Sequence, residues 1–126
     1  MLGLFKKTPK IEATFRPTLA TARELAKEVV VAGELVLKNV GKDAEITDLE
    51  LVLVAGSTRR IDLDLPAAWR GTVRIPAGGE VREQVAWTLK LAAPMRAPAA
   101  EIQVITRAGG KHQPLAMTAA FPLGNE

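Results

Sequence analysis

Cysteine and tyrosine are both absent from this 126-residue chain, and histidine occurs once. Without a thiol there is no cysteine nucleophile, no thiolate zinc site and no disulfide framework. With a single imidazole, His112, nucleophilic triads and most zinc sites lack their usual parts. His112 follows Gly109-Gly110-Lys111 in what reads as a hairpin loop, so an exposed surface position is its simplest reading. Glycine pairs occur at Gly78-Gly79 and Gly109-Gly110, but neither has the spacing or the following Lys-Ser/Thr of a phosphate loop.

Long apolar runs are missing as well. No window of the sequence approaches the roughly 20 apolar residues that span a bilayer. The first residues, Met1-Leu2-Gly3-Leu4-Phe5-Lys6-Lys7, place apolar side chains before lysines, the reverse of a secretory signal. The expectation is a cytoplasmic protein. Aromatics are scarce, with three Phe and two Trp, and 17 Lys and Arg nearly balance 14 Asp and Glu. Nucleic-acid binders cluster basic residues with stacking aromatics between them, and the interspersed charges here do not. No nucleic-acid partner is expected.

Hydrophobic residues make up 48% of the chain, enough for a core without staples, and the length suits one domain. Residues 1–126 therefore read as a single domain, with 1–10 as an apolar and basic tail. Period-2 alternation, which sends side chains to opposite faces of a strand, dominates the rest. Ile11, Ala13 and Phe15 share a face, as do Val29, Val31, Leu35 and Leu37. Leu49, Leu51 and Leu53 follow, then Ile61, Leu63 and Leu65, and then the short run Val73 and Ile75. Val81, Val85, Trp87, Leu89 and Leu91 line one face of a long strand. Glu83 interrupts that face, so the strand is expected to begin after it or to bulge there. Ile102 and Val104 mark another strand, and Leu115, Met117, Ala119 and Phe121 the last.

Turn chemistry separates these runs at Asn39–Asp43, Ala55–Ser57, Pro76–Gly79 and Arg107–Lys111. Pro94 and Pro98 bracket a stretch that cannot enter a central sheet, because proline offers no N–H to the ladder. About eight strands (seven to nine), each solvated on one side, describe an antiparallel immunoglobulin-like or arrestin-like β-sandwich. Residues 18–28 stand apart. Leu19, Ala22, Leu25, Ala26 and Val29 fall on one helical face, and Thr21 and Glu24 have capping-box spacing. A short helix is expected there, against the competing reading of an extended strand leading into Val29.

The acids Asp43, Glu45, Asp48, Glu50, Asp62 and Asp64 alternate with Leu and Ile, as on a solvated sheet face. A hard-cation site needs oxygens converging from a loop, so no metal and no cofactor is expected. Arg59 and Arg60 are the nearest cations and could pair with Asp48 or Glu50 across strands. Trp87 shares its face with Val85 and Leu89 and reads as core. Trp69, in the loop Pro66–Arg70, is the better candidate for an exposed contact, or else a lid over the core. Leu4, Phe5, Lys6 and Lys7 complete the candidate contact surface. They could touch an anionic membrane weakly, although a tail packed on the sandwich edge is the simpler reading.

Val31–Asn39 followed by Ile46–Leu53 is similar to the opening of an arrestin-type domain, where a glycine-containing strand leads through a turn into an alternating strand. Val73–Glu80, then Val85–Leu91 with Pro94 and Pro98, is similar to its second half. The start Phe5-Lys6-Lys7 resembles the bacterial sporulation-control branch of that superfamily. The likeness touches most of residues 5–105. In place of that branch's Pro-Gly-Glu turn stands Leu25-Ala26-Lys27-Glu28, and the second sandwich of a full arrestin has no counterpart. The resemblance implies a cytoplasmic adaptor-like module and carries over no catalytic residue.

The function expected from these readings is non-catalytic: a scaffolding or regulatory module that recognises another protein by an edge strand or loop surface. Copies of the chain could also associate through such an edge. The alternative is an immunoglobulin-like accessory domain that binds carbohydrate or another small ligand through Trp69 and its neighbouring loops.

Overall fold

The alternating runs are strands, and more strands exist than alternation alone marks. A computed structural model of the chain describes residues 9–23, 25–56, 59–108 and 111–125. In chain order these hold β1 (Ile11–Arg23), β2 (Glu28–Asn39), β3 (Ala44–Ile46), β4 (Glu50–Ala55) and β5 (Arg59–Leu63). A 3-10 turn at Ala67–Trp69 follows. Then come β6 (Val73–Ile75), β7 (Glu80–Lys90), β8 (Ala99–Ala108), β9 (Lys111–Met117), β10 (Phe121–Pro122) and β11 (Gly124–Asn125).

One sheet has the order β11-β1-β2-β7, and the other runs β10-β8-β4-β5 with β9 also paired to β8. Their inner faces meet in one cluster that includes Val29, Val31, Leu35, Leu37, Leu51, Leu53, Ile102 and Val104. These branched side chains suit a pleated, half-buried surface, and the polar residues between them face out. The small β3–β6 pair lies off both sheets. At one side the chain passes from β10 to β11, and so from the second sheet to the first. There the Phe15 and Phe121 rings pack 5.0 Å apart at 57°. The opposite side is flanked by two edge strands, β5 and β7.

Three expectations need correction. Residues 18–23 are strand, not helix: β1 continues to Arg23 and turns back into β2 through a hairpin, with Arg23 opposite Glu28. The apparent helical stripe is split between core and solvent: Ala22 and Val29 are buried, while Leu19 at 42% and Leu25 at 98% are exposed. Pairing along β2 outweighs local helix propensity. Second, Glu83 brings neither a strand start nor a bulge, because β2 and β7 pair without a register shift from Glu28↔Lys90 to Lys38↔Glu80. Its carboxylate lies half-buried on the inner face, at a surface depression described below. Third, the strand read through Leu115–Phe121 is two strands. Thr118 breaks it by accepting from the Ile102 N–H at its hydroxyl and donating its own N–H to the Ile102 carbonyl, both at 3.0 Å.

The bulge in this fold lies in β1, where the register with β2 shifts between Pro17 and Leu19. The backbone there comes so close that a Cβ on Gly33 would sit 2.2 Å from the Arg16 carbonyl oxygen. Only glycine fits opposite that bulge.

Candidate functional site

Hydrogen-bond alternation identifies which side of β7 is available. In an antiparallel pair, directly opposed residues alternate between exchanging two main-chain bonds and exchanging none. Asn39 donates to the Gly79 carbonyl at 2.9 Å, and Leu91 donates to the Lys27 carbonyl at 2.8 Å. Both fix the odd-numbered residues of β7 as those bonded to β2. The N–H and C=O groups of Glu80, Arg82, Gln84, Ala86, Thr88 and Lys90 therefore point the other way. Among the described residues no strand lies on that side.

A groove of about 290 Å³ runs beside this edge, between Gln84–Leu89 and Asp64–Pro66. The Trp87 indole crosses it, donating its Nε1 proton to the Asp64 carbonyl at 2.8 Å. That bond ties the edge of one sheet to the end of β5 in the other. Val85 and Trp87 face inward and line the groove from the core side, while Gln84, Ala86 and Thr88 are exposed.

The exposed face of β7 is charged in an ordered way. Lys90 bonds the carboxylate of Glu28 directly across on β2, and Arg23 approaches the same carboxylate at 3.3 Å. The Lys90 hydrogen bond, assisted by Arg23, holds the Glu28 carboxyl below its ordinary range against the opposing effect of burial. At the other end Arg82 bonds Glu80 and approaches Glu34 at 3.7 Å. Glu80 first, then Glu34, raise the Arg82 guanidinium above its usual range.

The residues singled out from the sequence are placed as follows. Leu4, Phe5, Lys6 and Lys7 lie outside the described residues. Trp69 is 2% exposed and belongs to the core cluster, so it is a lid over the core and not an exposed contact. The 3-10 turn that carries it folds the indole inward. A depression of about 370 Å³ does lie beside it, with Arg74, Arg82 and Glu83 at the rim, but the buried ring presents no free face for stacking a sugar. Arg60 does not pair with Asp48 or Glu50. The register aligns it with Val54, well along β4 from Glu50, and it donates to Gln103 at 2.6 Å instead. Glu50 approaches His112 at 3.2 Å and Arg107 at 3.9 Å, all three on the surface. Among the described residues no three His, Asp or Glu side chains converge as a metal ion would require. Sequence reasoning placed β7 but could not see that it is an edge, because strand order is not written in alternation.

No protein-family model matches the chain, and no curated protein sequence matches it. Solved structures do. Target SoR45 of the Northeast Structural Genomics Consortium aligns at TM-score 0.55 and 12% identity, over 92% of this chain and 87% of that one. The putative ApaA protein of Bordetella pertussis aligns at TM-score 0.55 and 13% identity, over 94% and 96%. Spo0M, a sporulation control protein of Bacillus subtilis, aligns at TM-score 0.52 and 14% identity, over 95% of this chain and 50% of that one. The chain thus spans half the length of that Spo0M chain. The mainly-β sandwich and the resemblance to sporulation-control proteins are borne out as a likeness of fold.

Proposed function

We propose that this chain is a non-catalytic, cytoplasmic protein-interaction module, regulatory or scaffolding, that takes an extended segment of its partner along β7. The observation that carries this reading is the eleven-residue edge strand beside a groove, whose even-numbered main-chain groups meet no other strand among the described residues. An added strand lies about 4.8 Å from its neighbour and draws its affinity from main-chain bonds, so such an edge suits it chemically. The fold shared with a sporulation control protein supports a regulatory setting.

Capture from cell lysate with wild-type protein and with Ala86→Pro tests the reading. Proline at position 86 removes an outward N–H and leaves the β2-facing bonds of the odd-numbered residues in place. Partners retained by the wild type and lost with Ala86→Pro are expected. Capture indifferent to that change, with saturable glycan binding in its place, would overturn it.

A further inference from the structure

We infer that one occupant of the β7 edge is a second copy of this chain, paired antiparallel about a two-fold axis through Val85. The inference rests on the edge-recognition reading above and names its partner. Val85 is the midpoint of β7, which begins with Glu80 and ends with Lys90. Full overlap of the strand with its own copy therefore sets Glu80 opposite Lys90 of the second copy, and the reverse.

The charges extend beyond that pair. Within one chain Glu28 is opposite Lys90 and Lys38 is opposite Glu80. Joining two copies in this register builds a row across four strands that reads Glu28, Lys90, then Glu80 and Lys38 of the second copy. Its signs alternate at every step, and symmetry repeats the row at the other end. Directly opposed unlike charges stabilise a sheet and like charges destabilise it. Between the two rows, Arg82 faces Thr88 of the second copy and Gln84 faces its Ala86. Arg82 brings its own compensation from Glu80 and Glu34.

Slipping the register by two residues loses this pattern. One slip sets Arg82 against Lys90 of the second copy, and the other leaves Glu80 facing Thr88. The full-overlap register alone combines maximal length with opposed charges, and it forms about twelve main-chain hydrogen bonds from groups otherwise left to water. Val85 meets its own counterpart across the axis as a pair without main-chain bonds, the closer kind of cross-strand pair. An isologous contact of this type closes on itself and ends at the dimer.

The natural absence of cysteine makes the register measurable. Single-cysteine variants Val85→Cys, Gln84→Cys and Ala86→Cys are oxidised mildly, and sedimentation of the wild type gives its mass. Expected are a dimer for the wild type, a disulfide-linked dimer dominant for Val85→Cys, and slow cross-linking for the two more exposed neighbours. Ala86→Pro should raise the dissociation constant on the order of a hundredfold through lost main-chain bonds. Lys90→Glu, which leaves the backbone alone, should weaken the dimer too. A wild type that stays monomeric at high concentration, or faster linking at 84 or 86 than at 85, would overturn the inference. Ala86→Pro-sensitive capture of another protein by a monomeric wild type would still leave the edge-recognition reading standing.

Discussion

The side-chain amide of Asn39 donates to the main-chain carbonyl of Ile75 at 2.8 Å, across 36 residues of chain. The same Nδ2 donates to the Lys42 carbonyl at 2.6 Å, and Oδ1 accepts from the Gly41 N–H at 2.9 Å. Its own N–H donates to Gly79 and its carbonyl accepts from Gly78. One fully buried residue thus fastens the end of β2 to β6 and to the turns that lead into β3 and β7.

Replacing Asn39 by Ala should orphan the buried Ile75 carbonyl and leave the part-buried Lys42 carbonyl and Gly41 N–H to water, and cost about 1–3 kcal/mol. Asn39→Asp should be worse, because a carboxylate would set negative oxygen against those carbonyls with no proton to offer. Urea unfolding of the three proteins checks both the size and the order.

Gly33→Ala should destabilise the β1–β2 hairpin despite being the smallest possible change. The new Cβ would sit 2.2 Å from the Arg16 carbonyl oxygen and 2.8 Å from the Pro17 Cα. Both are backbone atoms, so only separation of the strands relieves the clash. A loss of about 2–3 kcal/mol is expected for such overpacking. Hydrogen exchange should localise it to β1 residues on either side of Pro17.

These two residues mark how far the sequence was legible. Asn39-Val40-Gly41 reads correctly as a turn, since Asx side chains bond the backbone two residues on. Its reach to Ile75 is not legible, because nothing local records which strand lies beside it. Alternation found the inward faces of β2, β4 and β7 for the same reason that it missed β10 and β11: a period needs several residues to show. Leu19 and Leu25 produced a helical stripe by coincidence of spacing, and pairing with β2 decided otherwise. The candidate site was half visible. The β7 strand and its apolar face were evident from Val85, Trp87 and Leu89, whereas its place at the sheet edge is a property of topology.

Trp87→Phe should loosen the groove without dismantling the core. A smaller ring replaces the indole, and the Asp64 main-chain carbonyl loses the proton that it receives at 2.8 Å. Asp64 is exposed, so water can replace that donor; with the buried ring atoms lost, the cost should be about 1–3 kcal/mol. Faster amide exchange at Asp64–Leu65, with β2 unchanged, is the expected signature. Partner capture along β7 should weaken, since the groove wall would no longer be held.

Glu28 provides the pH dependence. Its carboxyl is held below the ordinary value of 4.5 in the folded chain, chiefly by the Lys90 hydrogen bond and then by Arg23. A group whose folded pKa is depressed stabilises the fold fully above its unfolded value. That contribution fades as the pH falls from about 4.5 through the lowered folded value, because the unfolded chain then takes up the proton first. Melting temperature should therefore decline more steeply below pH 4.5 in the wild type than in Glu28→Gln, which has no proton to gain there. At neutral pH Glu28→Gln should melt lower, because Lys90 and Arg23 lose the charge they face. Added salt should narrow that neutral-pH gap, since Lys90 is largely and Arg23 partly open to solvent. Parallel acid slopes for the two proteins would show that the ion pair does not couple protonation to folding.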